Sequence, residues 1–128
     1  MHEATIQLVF SAAHALCLPD GNLEPLHGHD WSVQVTVASG ELDEMDTVMD
    51  FHKLEELVEA VVAPWRNGNL NALPPFSPDG GTTLEVNPSA ERVAERIAWV
   101  VGGGLPERVW LHDVAVGEAP GCVARYRP

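Results

Sequence analysis

Three of the six histidines in this 128-residue chain are spaced as a metal site would space them. His27 and His29 flank Gly28 and enter a stretch that alternates like a β-strand. Residues two apart on a strand project from one face, so both imidazoles point the same way. His14 lies just past the end of an earlier strand-like stretch, and antiparallel pairing of the two stretches would bring it within reach of the pair. Three neutral imidazoles with a fourth position left open is the pattern of a catalytic zinc ion, because the open position takes water or a substrate oxygen. Four protein ligands would instead suggest a structural role. A His-x-His pair alone also occurs without any metal. The intervening glycine and the third histidine favour Zn2+.

The elements that must position these groups follow from periodicity. Thr5 to Phe10 reads as a strand, with Ile6, Leu8 and Phe10 alternating with Thr5, Gln7 and Val9. Leu18-Pro19-Asp20-Gly21-Asn22 is loop chemistry. Asp30 to Val37 alternates again, with Trp31, Val33, Val35 and Val37 on one face. Asp50 to Val62 is helical: Asp50 can cap it, Leu54, Leu57, Val58, Val61 and Val62 form its stripe, and Pro64 closes it. The polar passage from Arg66 to Thr83 is long for a loop in a compact domain, which points to a functional role. A second helix opens at Asn87-Pro88, turns Val93, Ala94, Ile97, Ala98 and Val101 to the core, and stops at Gly102-Gly103-Gly104. Arg108 to Tyr126 is strand-like with a break at Ala119-Pro120-Gly121. The order predicts an α+β fold in a single domain over residues 1–128: an antiparallel four-stranded sheet with two helices on one face.

Composition excludes several classes. Apolar residues make up 45% of the chain and charged ones 20%, which is a globular composition. No run approaches the roughly 20 apolar residues of a membrane helix. The Met1-His2-Glu3 start lacks the basic residues of a secretory signal, so the expected location is cytoplasmic. The 19 acidic and 7 basic side chains leave a net charge of -12, which repels nucleic-acid backbones and weighs against a highly anionic substrate. Cys17 and Cys122 form no disulfide framework and read as free thiols.

Phe10-Ser11-Ala12-Ala13-His14, Leu26-His27-Gly28-His29-Asp30-Trp31 and Val48-Met49-Asp50-Phe51 resemble the 6-pyruvoyltetrahydropterin synthase / 6-carboxytetrahydropterin synthase family. Leu70-Asn71, Asn87-Pro88-Ser89-Ala90-Glu91 and Val116-Gly117-Glu118 agree with it in order, over nearly the whole chain. The resemblance implies the tunnelling fold, whose units assemble into a barrel, usually a hexamer, and a substrate of the 7,8-dihydroneopterin triphosphate type. It implies that His14, His27 and His29 hold Zn2+, which acts as a Lewis acid on the substrate side chain. It also implies that Glu118 anchors the pterin ring, as a carboxylate accepting two parallel hydrogen bonds can do. The Ser89-Ala90-Glu91 stretch matches a second pterin-contacting segment. Glu118 could otherwise be an exposed turn residue, and Glu91 a first-turn glutamate favoured by the helix dipole.

The sequence departs from the family where protons are moved. The usual cysteine, four residues before His-Gly-His, is Leu23 here. The usual aspartate and histidine of the relay align with Arg66 and Asn67. Glu24 stands where family members lacking the cysteine place a glutamate, and those members cleave the side chain to give 6-hydroxymethyl-dihydropterin. A carboxylate in a dry pocket can serve as a base. Cys17, His52 and His112 are alternative bases; Cys17 also suits a small apolar filler, and His52 a surface position. Three functions remain open at this point: a zinc-dependent synthase or lyase of the 6-carboxytetrahydropterin synthase type or its side-chain-cleaving variant, a pterin-binding paralogue without the usual reaction, and an enzyme for another small substrate with Arg66 altering the pocket mouth.

Overall fold

In a computed structural model of residues 1–128, five strands and two helices appear in the order β1 (His2–His14), β2 (His27–Ser39), α1 (Phe51–Val62), β3 (Gly68–Asn69), α2 (Ala90–Gly102), β4 (Trp110–Ala119) and β5 (Cys122–Tyr126). The sheet order is β3-β1-β2-β4-β5. Four strands form the expected antiparallel sheet. The fifth, β3, has two residues and pairs parallel to the end of β1 through Ala12 and Ala13. The sheet is therefore five-stranded and mixed, and so brief a strand carries no periodicity by which a sequence could announce it. No helix is long and apolar enough to cross a membrane.

β1 and β2 pair in one unbroken register: Ala4 faces Val37, Ile6 Val35, Leu8 Val33, Phe10 Trp31, Ala12 His29, and His14 His27. All of these sit on the face that the helices cover. Leu54, Val58, Val61 and Val62 of α1 and Val93, Ala94, Ile97 and Val101 of α2 are buried there, as their spacing predicts. The two rows of core residues thus run along the strands and end in imidazoles. β4 adds a third row. Val114 faces Val35 and Val116 faces Val33, so Glu118 lies two residues further along the same side.

Several boundaries differ from expectation. Both strands at the site extend further than alternation suggests, so His14 is the last residue of β1 and His27 the first of β2. The second helix begins at Ala90, capped by the Ser89 hydroxyl, which accepts from Arg92 N–H at 3.2 Å. Asn87 is not the cap, because its side chain is engaged elsewhere. The passage from Arg66 to Thr83 is tied down by apolar anchors: Leu70 and Phe76 are fully buried, and Phe76 packs against Trp65 with ring centroids 5.6 Å apart.

Trp31 joins the core to its imidazole end. Fully buried, it stacks on Phe10 with centroids 6.0 Å apart and donates its indole N–H to Ala12 O at 3.1 Å. Its ring lies edge-on to His14 and His29, at 4.7 and 5.7 Å. Trp31→Ala removes both packing and the hydrogen bond. It should destabilise the fold by about 3–5 kcal/mol, measured as a lower urea midpoint at unchanged m-value.

Candidate metal centre and ligand cavity

His14, His27 and His29 converge. One ring nitrogen from each lies within 4.8 Å of the other two. The rings stand steeply to one another, at 65°, 71° and 86°, with centroids 4.8 to 5.2 Å apart. Mutually crossed rings let three nitrogens aim at one point instead of stacking.

Hydrogen bonds orient two of the three rings. His14 Nδ1 is 2.7 Å from Pro88 O, and His27 Nδ1 is 2.8 Å from Pro25 O. A carbonyl only accepts, so each Nδ1 carries the proton and each Nε2 presents a lone pair. His14 Nε2 and His29 Nε2 are buried with no hydrogen-bond partner. Burial also holds the His29 imidazole below its ordinary pKa range, against the opposing pull of Glu118, which favours the neutral, ligating form. Buried polar atoms without partners are costly unless something else satisfies them. An ion that prefers nitrogen ligands in tetrahedral geometry, as zinc does, fits the donor set.

Two carboxylates flank the triad. Glu24 Oε1 lies 3.9 Å from His27 Nε2. Glu118 reaches from the other side, with Oε1 3.8 Å from His14 Nε2 and Oε2 3.9 Å from His29 Nε2. Glu118 also borders two open cavities. One, of about 340 Å3, is lined by Leu16, Ser89, Ala90, Glu91 and Glu118 together with β5. The other, of about 550 Å3, is lined by His29, Asp30, Ser32, Glu118 and the Ala119–Gly121 turn. Ser89, Glu91 and Glu118, far apart in sequence, therefore share one cavity beside the histidines. Cys122 lines it as well, and nothing in its sequence context signals that position.

The segment that follows His14 is clamped residue by residue. Asn71 accepts from Ala15 N–H at 2.8 Å and donates to Ala15 O at 2.7 Å. Glu24 Oε1 accepts from Leu16 N–H at 2.9 Å, while Glu24 N–H donates to Leu16 O at 3.0 Å. Asn87 accepts from Cys17 N–H at 2.7 Å and donates to Cys17 O at 2.9 Å. A side-chain amide carries a donor and an acceptor and can pair with backbone as a strand would. Asn87 thereby fixes the approach of Pro88, whose carbonyl orients His14.

The remaining candidates lie elsewhere. Leu23 is exposed and bridges Cys17 across the loop. Arg66 forms a two-pronged pair with Glu59, both contacts 2.7 Å, and donates to Val9 O at 3.0 Å. That pairing depresses the Glu59 carboxyl pKa. Arg66 is thus fastened to α1 and β1, and lines neither cavity beside the triad. Asn67 takes a positive φ of 58° and donates its N–H to Ser11 O, a turn role. Cys17 directs its thiol to Leu18 O. His52 is exposed on α1. His112 is exposed where the β2–β4 register shifts, 3.5 Å from Glu3. None of these joins the triad.

Comparison with known proteins agrees with this geometry. The sequence model described as 6-pyruvoyl tetrahydropterin synthase matches residues 3–128. A dihydroneopterin monophosphate aldolase of Pyrococcus furiosus is 34% identical over 109 residues, covering 85% of this chain and 82% of that protein. The solved structure of Caenorhabditis elegans 6-pyruvoyl tetrahydropterin synthase superposes with a TM-score of 0.71 at 24% identity, over 100% of this chain and 97% of that one. A Plasmodium vivax 6-pyruvoyltetrahydropterin synthase, in a variant that replaces a catalytic glutamate by alanine, gives 0.71 at 18% identity, over 100% and 99%.

If the amide clamps hold the histidines in place, Asn87→Ala and Asn71→Ala should each weaken zinc binding about tenfold or more. Competition against a chromophoric chelator measures this. Zinc affinity equal to the parent protein's in both variants would show that the clamps do not position the triad.

Proposed function

Because the chain belongs to the 6-pyruvoyl tetrahydropterin synthase family, we propose that it is a zinc-dependent aldolase that shortens the side chain of a phosphorylated dihydroneopterin to give 6-hydroxymethyl-dihydropterin. The observation that carries this reading is the position of Glu24, 3.9 Å from His27 Nε2 and tied to Leu16 on both its backbone and its side chain. A base must be within reach of the proton it takes and must be held there. The aldolase relative supports the reaction type, and the Plasmodium vivax protein likewise has a glutamate as a catalytic residue.

Zinc held by His14, His27 and His29 would supply Lewis acidity toward the hydroxyl oxygens of the side chain. The chain's own residues do the rest. Glu118 accepts hydrogen bonds from the amino-pyrimidinone edge of the ring, and Ser89 and Glu91 line the same cavity of about 340 Å3, within the usual range for a small-molecule site. The Glu24 carboxylate takes the proton from the hydroxyl on the second side-chain carbon. The bond between the first and second carbons then breaks, and its electron pair moves onto the first carbon and into the ring. The second carbon becomes the carbonyl of a phosphorylated two-carbon aldehyde. Returning the proton to the first carbon completes 6-hydroxymethyl-dihydropterin, so atoms and electrons balance without a further reactant.

Neither cavity beside the triad is lined by lysine or arginine, and the chain carries a net charge of -12. Both features support a monophosphate over a triphosphate. Assembly into a hexamer belongs to the same proposal. Incubation of zinc-loaded protein with each phosphorylated dihydroneopterin, with products separated by chromatography, tests the reaction. The expected product is 6-hydroxymethyl-dihydropterin, formed faster from the monophosphate and slowed by about 100-fold or more in Glu24→Ala. Formation of 6-carboxytetrahydropterin, or full activity in Glu24→Ala, would sink the proposal.

A further inference from the structure

His14 Nε2 and the Glu118 carboxylate face each other in an arrangement that needs a third partner. The His14 proton is committed at Nδ1 to Pro88 O, so Nε2 offers a lone pair, and it is buried with nothing to bond. Across the site stands Glu118 Oε1, another lone-pair donor, at 3.8 Å. The second Glu118 oxygen stands 3.9 Å from the unpartnered Nε2 of His29. Two acceptors repel unless a cation or a hydrogen-bond donor lies between them. These separations exceed a hydrogen bond, and they fall within the 4.8 Å span of the three histidine nitrogens themselves.

We propose that Glu118 is the fourth protein ligand of the metal while the cavity holds no pterin, and that the arriving ring draws the carboxylate away. The inference rests on the reading of His14, His27 and His29 as metal ligands. It adds that the site is closed at rest and opens a coordination position only when its ring-binding carboxylate is claimed. A metal with four protein ligands has no place for water or a substrate oxygen, whereas one with three does. Ring binding at Glu118 thereby becomes the condition for side-chain chemistry.

Glu118 is placed for this exchange and Glu24 is not. Glu24 Oε1, its oxygen close to the triad, already accepts the Leu16 N–H at 2.9 Å. The Glu118 carboxylate accepts no hydrogen bond from any protein group. It is half-buried and borders open space on both sides, so it can turn from the histidines to the cavity shared with Ser89 and Glu91. Its side chain lies on the same sheet face as the three histidines, on the strand beside β2.

Cobalt(II) in place of zinc reports its ligands by visible absorption and provides the test without reference to turnover. In the full chain, Glu118→Gln should change the cobalt bands and weaken cobalt binding about tenfold or more in a chelator competition. Glu118→Asp, which keeps the charge but shortens the reach, should change the bands as well. Glu24→Gln should leave them as they are. Neopterin added to the parent protein should shift its bands, and added to Glu118→Gln should not. Parent-like bands and affinity in Glu118→Gln, with cobalt binding lost in His27→Ala, would overturn the proposal and leave the histidine site standing. Cobalt binding that survives unchanged in His27→Ala would overturn the histidine site itself. A band shift in Glu24→Gln would place the fourth ligand on the opposite side and overturn the assignment to Glu118.

Discussion

β1 and β2 share thirteen consecutive pairs, and the site exists because that register is fixed. Side chains alternate across a strand, so sliding one strand by a single residue would move its whole row to the other face. Such a slip in β2 would carry His27 and His29 to the solvent side together with Trp31, Val33, Val35 and Val37. Burial of those four side chains therefore holds the imidazoles in place. Four large apolar groups at about 1.5–3 kcal/mol each for full burial make the alternative pairing far less stable. The core that gives the sheet its stability also decides which face the histidines take.

Register alone leaves the end of β1 free to fray, and a second layer of constraints prevents this. Ala15, Leu16 and Cys17 follow His14 beyond the sheet, where their backbone groups would otherwise seek water. Asn71, Glu24 and Asn87 satisfy them in turn, each with one donor and one acceptor. Those three partners come from three separate segments, so the same contacts draw the hairpin loop, the passage after α1 and the lead-in to α2 around His14. Glu24 thus has a structural engagement through both its backbone and one carboxylate oxygen. Arg66 and Asn67 are scaffold: Arg66 fastens α1 to β1, and Asn67 turns the chain.

What was legible in the sequence follows from the range of each interaction. Periodicity exposed both long strands, both helices and the shared face of His27 and His29, because those patterns are written in adjacent residues. The placement of His14 needed only the antiparallel pairing of neighbouring strands. The clamps of Asn71 and Asn87 were not legible, since each depends on an element 56 or 70 residues away. Asn87 before a proline carries the local signature of a helix cap, and tertiary contact overrode that preference. β3 escaped for a different reason. Its pairing with β1 at Ala12 and Ala13 is set by where the chain returns after Trp65, a buried side chain anchored on Phe10 and Phe76.

Charge accounts for the remaining design of the site. Three neutral imidazoles compensate none of a dication's charge, and a strongly buried cation is costly unless it is balanced. Glu24 and Glu118, one on each side of the triad, bring two negative charges within 4 Å of the histidine nitrogens, which balances a divalent ion. The same carboxylates would repel each other and the histidine lone pairs were no cation between them. An acidic chain is therefore suited to hold a divalent metal and a neutral heterocycle, and poorly suited to hold several phosphates beside them. If Glu118 serves both the metal and the ring as proposed, the charge balance at the metal would change when a ring is bound. On that proposal, the carboxylate that recognises the ligand and the one that neutralises the ion would be a single group, and binding and activation would be one event.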